Sequence, residues 1–177
     1  SPVTGRLAAE AAFYDPQRKK RVLEDYQDKI VVLDFWQVEC PPCRRQAQLI
    51  DEVRTALGED SGVEFLAVNV DREDAPRDLL DRTWKSWGGT FGWLVDVDRQ
   101  SRKTFAVEAT PTLVVLDQKS RVQLWRPGPL ESADELRQVL EDLRAGKDLA
   151  GEARAAHEAR VAEHRRTVDS RKWTPPQ

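Results

Sequence analysis

The chain has 177 residues, 40% of them hydrophobic and 33% charged, with a formal net charge of −3. That length supports one domain with a sizeable core plus about thirty further residues. The charge excludes a broad electrostatic attraction to nucleic acid or to an anionic membrane, and no apolar run approaches the roughly 18 residues of a membrane span. The sequence begins at Ser1 and holds no methionine, so the expectation is that a leader or upstream segment has been removed.

Residues 1–19 are a segment of uncertain structure. "RLAAEAAFY" predicts a short helix that ends before Asp15-Pro16, because a residue ahead of proline is pushed out of helical geometry. "KIVVLDFW" (29–36) is β-branched and nearly all apolar, the pattern of a strand covered on both faces. A helix follows directly, with Cys43, Ala47, Ile50, Val53 and Leu57 recurring at steps of three and four and Gly58 as its stop. "VEFLAVNVD" (63–71) predicts a second buried strand and "APRDLLDRTWKSW" (75–87) a helix broken by "GGTFG".

Next come a short strand at "WLVDV", a helical turn around "RQSRKTFA", and a strand "TLVVLD" (112–117) whose antiparallel partner is "VQLW". "SADELRQVLEDLRAG" has the clearest helix signature. Ser132 and Glu135 suggest a capping box, Leu136, Val139, Leu140 and Leu143 a buried stripe, and Gly146 a stop. Residues 20–146 therefore read as one α/β domain with a mixed sheet flanked by helices. Residues 147–177 read as a charged tail, helical by propensity but with a thin apolar stripe, ending in a disordered "TPPQ". No internal repeat is visible.

Both cysteines of the chain lie in "VVLDFWQVECPPCRRQ", as Cys40 and Cys43. Three readings of such a pair are open: a structural clip, half of a metal site, or a redox couple. A four-residue disulfide loop constrains the unfolded chain very little. A metal needs further ligands; His157 and His164 lie far away in the tail, seven apart on what reads as an exposed polar face. As a redox couple the two residues divide the labour. Cys40, at the helix N-cap, is the exposed nucleophile, favoured as a thiolate by the macrodipole, and Cys43, on the buried stripe, resolves the mixed disulfide. Pro41 and Pro42 preset the first turn and remove two amide donors, leaving the Cys43 N–H to solvate the Cys40 thiolate. Glu39 disfavours that thiolate, while Arg44 and Arg45 favour it. The balance leans toward a reductant.

These residues carry a resemblance. "KIVVLDFWQVECPPCRRQ", "AVNVD", "FAVEATPTLVVLD" and Pro127-Gly128 are similar to thioredoxin-fold proteins. The C-P-P-C pair, "LEDYQDKIVVLDFW" and a helix inserted between "NVD" and "WLVDVD" resemble the TlpA/ResA branch of exported thiol-disulfide oxidoreductases, over roughly residues 20–145. The resemblance implies a thioredoxin fold with an inserted helix, to which this chain adds a C-terminal helical extension after Gly146 that has no counterpart in the family's core pattern. It puts the redox roles on Cys40 and Cys43, and a cis-proline at Pro111 that presents the Thr110 backbone to substrate as a strand-like partner. It places Trp36 beneath the site and gives Asp34 the position of a buried acid. It implies substrate contact through Thr110, Pro111, Glu39, Trp36, Pro41 and Pro42.

The departures are equally specific. Glu39 replaces the family's usual tryptophan, Ala67 a lysine near the buried acid, and Asp28 and Ser120 stand where glycines are common. No counterpart of the branch's N-terminal hairpin is recognisable in residues 1–19.

The resulting expectation is a protein-disulfide reductase with no cofactor beyond its own disulfide and no metal. Its substrates are disulfides of exported proteins, such as apocytochrome c or copper-site proteins. It is periplasmic or otherwise extracytoplasmic, is recharged by a membrane or periplasmic electron donor, has no membrane span of its own and has no nucleic-acid partner. The alternatives are a copper-binding module using the two thiolates and a redox-inert adaptor acting through its tail. Asp34, the one acid in an apolar strand, is expected to have a raised pKa and to take the Cys43 proton.

Overall fold

The computed structural model describes residues 3–170, with side chains described through Val168; the "TPPQ" end lies outside the described residues. Seven strands form one sheet in the order β2-β1-β5-β4-β3-β6-β7. They are β1 (Ala12–Tyr14), β2 (Lys20–Val22), β3 (Ile30–Trp36), β4 (Val63–Asn69), β5 (Gly92–Val95), β6 (Thr112–Leu116) and β7 (Val122–Pro127). The helices are α1 (Pro41–Leu57), α2 (Arg77–Ser86), α3 (Gln100–Phe105), α4 (Ala133–Arg144) and α5 (Leu149–Ser170).

β3, β4 and β5 run parallel, linked by crossovers through α1 and α2, whereas β6 runs antiparallel to β3 and β7 to β6. β3 is central and every residue in it is buried, as a β-branched run covered on both faces must be. Its side chains alternate between two cores. Ile30, Val32 and Trp36 join the side that carries α1 and α4, and Val31, Leu33 and Phe35 join Phe13 and Phe105 on the other.

The N-terminal segment differs from the sequence expectation. "RLAAEAAFY" is not a helix: β1 and β2 pair as an antiparallel hairpin, and β1 docks on β5 through Tyr14 and Val95. Leu7 bridges to Arg121, and Val3, Ala8, Ala11 and Phe13 are buried in the second core. The alanines mimic helical spacing. What decides the conformation is the open edge of β5, whose main chain offers hydrogen bonds that no local helix replaces.

Two further expectations change at the helix ends. The Ser132–Glu135 capping box is absent, since the Ser132 side chain caps nothing. Glu135 instead accepts from Arg126 Nε at 2.6 Å and from the Glu131 N–H at 3.1 Å. Within the tail, α5 is largely exposed through Val168, yet its first turn is anchored. Ala150 is buried and its N–H donates to Gln123 Oε1 at 3.0 Å.

Asp28 and Ser120 adopt φ of +72° and +58°. Both non-glycine residues hold the left-handed turns that glycine ordinarily serves, at a cost on the order of 1 kcal/mol each.

Candidate active site

The site is assembled where β3 runs into α1. Val70 N–H donates to the Trp36 carbonyl at 2.9 Å, closing the end of the β3–β4 ladder. The next turn is held by Asp71, which accepts from Val38 N–H at 2.9 Å and from Asn69 Nδ2 at 2.8 Å. Clamped in this way, the chain delivers Cys40 to the N-cap of α1, and Pro41 and Pro42 form its first positions.

Cys40 and Cys43 are joined in a disulfide, so the structure is the oxidised form. Cys43 is completely buried, and Cys40 keeps only 6% of its surface. The expected open nucleophile is therefore a recessed one, because the disulfide draws Cys40 onto the helix face that Cys43 occupies. Glu39, Pro41 and Pro42 are the exposed rim around it. The Cys43 N–H, expected to face the Cys40 sulfur, donates to the Cys40 carbonyl at 3.0 Å. The first turn of the helix uses it up.

The Thr110-Pro111 peptide bond is cis and sits opposite the disulfide. The Thr110 hydroxyl donates to Gln37 Oε1 at 3.0 Å and lies 3.5 Å from Cys40 Sγ. Pro111 is fixed from behind by the Gly128 N–H, which donates to its carbonyl at 2.9 Å. Among the described residues, no hydrogen bond engages the Thr110 main chain. Beside it opens a cleft of about 510 Å³ lined by Gln37, Val70, Asp71, Val97, Ala109 and Thr110, among others.

Asp34 lies on the α1 side of β3, paired across the sheet with Ala67 and Leu113. It is fully buried. Its Oδ1 accepts from Gln46 Nε2 at 2.7 Å, while Gln46 Oε1 accepts from the Leu130 N–H at 2.9 Å. That second bond fixes the amide orientation, so the Nε2 donor has to face Asp34. The other oxygen, Oδ2, has no partner. Burial raises the Asp34 pKa from 3.8 to about 7, against a smaller lowering by the Gln46 hydrogen bond. A carboxyl that changes protonation near neutrality, with one free oxygen, is equipped to accept and return a proton.

Trp36 does not meet a substrate in this form. It is fully buried, with its ring centroid 5.3 Å from Trp84 and 5.2 Å from Trp87. An aromatic cluster donated by the inserted α2 thus floors the site, and Trp36 Nε1 is left without a partner. Gly89 is needed for this packing, since a Cβ there would run into the Trp84 ring. His157 and His164 stay on the exposed face of α5. Among the described residues no group of three or more His, Cys, Asp or Glu side chains is arranged to hold a metal.

Three residues of the site escaped the sequence reading. Gln46 had a signal, because it is a polar residue three positions after Cys43 on an apolar stripe. Asp71 and Gln37 had none, since their partners come from other segments.

Residues 4–124 match the AhpC/TSA family. The chain belongs to that family. Within it, the chain is similar to the thiol-disulfide oxidoreductase ResA of Geobacillus thermodenitrificans, 29% identical over 140 residues that cover 79% of this chain and 78% of the relative. The fold is that of thioredoxin. The thioredoxin domain of a thiol-disulfide oxidoreductase from Bacteroides vulgatus superimposes with a TM-score of 0.66 at 15% identity, over 79% of this chain and 99% of that one. A secreted disulfide oxidoreductase of Mycobacterium tuberculosis, described as homologous to DsbE of E. coli, gives 0.63 at 20% identity over 76% of this chain and 96% of its own. The ResA relative agrees with the branch to which the motifs pointed.

Proposed function

We propose that this AhpC/TSA chain is a thiol-disulfide oxidoreductase that reduces disulfides of exported proteins. The observation that carries the reading is the Cys40–Cys43 disulfide at the start of α1, facing the cis Thr110-Pro111 bond with the Thr110 hydroxyl 3.5 Å from Cys40 Sγ. In the reduced protein the Cys40 thiolate attacks one sulfur of a substrate disulfide, forming a mixed disulfide and releasing a substrate thiolate. Cys43 then gives its proton to Asp34 and attacks the Cys40 sulfur. This closes the Cys40–Cys43 disulfide and releases the second substrate sulfur as a thiolate, to which Asp34 can return the proton. Substrate main chain adds alongside Thr110, whose own N–H and C=O are open for strand-like pairing.

Apocytochrome c and copper-site proteins are the substrates this branch suggests, and an extracytoplasmic location agrees with the secreted M. tuberculosis relative. Among the described residues no helix is long and apolar enough to cross a membrane. A thiol donor outside this chain recharges the couple.

Brief iodoacetamide treatment of reduced protein, followed by mass spectrometry, tests the assignment together with insulin reduction. The expected result is labelling of Cys40 ahead of Cys43, and mixed disulfides that accumulate in C43S but not in C40S. Preferential labelling of Cys43, or insulin reduction that survives C40S, overturns it.

A further inference from the structure

A second pocket, of about 630 Å³, opens between the β1–β2 turn and the start of α2. Arg18 projects from the turn and Arg77 is the first residue of the helix, and both line the pocket with Tyr14, Glu73, Asp74 and Val97. Arg77 Nε and Nη1 are buried and have no hydrogen-bond partner. An unpartnered buried guanidinium donor is costly, and such groups in native proteins are normally satisfied.

Four of the nearby acids are engaged elsewhere. Asp15 holds Arg21 and the Lys19 N–H, Asp98 takes the Tyr14 hydroxyl, Asp74 pairs with Arg72, and Asp78 pairs with Arg82. Glu73 also lines the pocket, is exposed and, among the described residues, forms no ion pair. Burial, and then the like charge of Arg18, hold the Arg77 guanidinium below its ordinary pKa. Arg18 and Arg77 therefore face one cavity at the positive end of α2, whose lining acids are Asp74, paired with Arg72, and the exposed Glu73.

We propose that this pocket binds an oxyanion, a carboxylate or a phosphate, between the guanidinium groups of Arg18 and Arg77. The planar fork of Arg77 suits a two-oxygen acceptor, and the volume exceeds what a bare anion fills, so the group is carried on a larger body. Glu73, Asp74 and Val97 also line the cleft beside Thr110, so the two cavities adjoin. A polypeptide laid along Thr110 can run on and place an acidic side chain against Arg77. This use of the pocket rests on the proposed reductase function; the binding of the anion does not.

Calorimetric titration of the oxidised protein with inorganic phosphate and with succinate, at constant ionic strength, tests the site directly. Saturable binding, on the order of 1 mM, is expected in the wild type, with a loss of about tenfold or more in R77Q. R18Q alters an exposed residue and is expected to weaken binding less while leaving the fold intact. Absence of saturable binding, or equal binding in all three proteins, overturns the proposal. Turnover then separates the sources. If the anion belongs to substrate, R77Q raises KM about tenfold for an acidic peptide disulfide, but not for the same peptide with glutamines, at unchanged kcat. Anion binding with no change in KM assigns the pocket to a free anion. Anion binding by a protein that reduces neither peptide leaves the site standing and removes the reductase reading instead.

Discussion

The two faces of β3 were built to different standards. Val31, Leu33 and Phe35 point into a hydrophobic core where Phe13, Phe35 and Phe105 pack with ring centroids 5.5 to 6.3 Å apart. One residue along in each case, the opposite face carries Asp34 with an unpartnered Oδ2 and Trp36 with an unpartnered Nε1, next to the disulfide. Each orphaned polar atom costs about 1–3 kcal/mol, so the face that does chemistry is the less stable of the two. A single strand holds both because a period of two isolates its faces. The apolar face secures the fold while the other retains an ionisable group at a pKa where it is useful.

The largest expected effect lies on the apolar face. F35A removes the centre of the phenylalanine trio and should lower unfolding free energy by about 3–5 kcal/mol in a urea titration. The reduction potential of the cysteine couple should stay at its wild-type value. A shifted potential would mean that the two faces are coupled through the strand.

D34N acts on the other face with the opposite sign. Asp34 has a pKa of about 7 when folded against 3.8 as a free side chain. Its folded form therefore binds a proton that the unfolded chain has already lost. The contribution of Asp34 to stability is greatest below pH 3.8, falls as pH rises toward 7, and is flat beyond. Relative to wild type, D34N should gain on the order of 2–4 kcal/mol at pH 8, and the difference should vanish near pH 4, where both side chains are uncharged. Thiol-disulfide exchange at neutral pH should slow, with loss of the rate dependence centred near pH 7. Denaturation and exchange rates between pH 4 and 9 check both statements. A less stable D34N, or an unchanged pH–rate profile, makes Asp34 a structural acid.

A smaller effect separates the anchored turn of the tail from the rest of it. Truncation after Gly146 removes the buried Ala150 and the donor to Gln123, and should cost about 1–2 kcal/mol. Truncation after Glu152 keeps both and should change stability by less than about 0.5 kcal/mol. Thermal melts of the two truncations decide where the domain ends. The smallest effect expected is at Ser120. S120G relieves the left-handed strain at φ +58° but adds freedom to the unfolded chain, for a net gain of about 0.5 kcal/mol. A loss instead would show that the serine side chain supports the turn.

Local pattern made most of the fold legible. The β-branched run of β3, the stripe of α1 that ends at Gly58 and the stripe of α4 each bury the face that their periodicity indicates. The failures share a cause. "RLAAEAAFY" became a hairpin because β5 offered an edge, and Glu135 left its capping role because Arg126 came within 2.6 Å. In both cases a partner distant in sequence offered a better hydrogen bond than the local one.

By itself, then, the sequence determined the identity of the reacting atoms and their immediate scaffold: Cys40 and Cys43 one turn apart, prolines presetting the helix between them, and one acid in an apolar strand. These follow from spacing along a single helix or strand, where geometry is set by neighbours in the chain. Only the tertiary structure decided the state of those atoms. Asp34 owes its pKa to burial and to Gln46, the loop before Cys40 is held by Asp71 from β4's end, and Thr110 reaches the sulfur from 70 residues away. Solvent exclusion and hydrogen bonding depend on what packs from other elements, and no local periodicity encodes that.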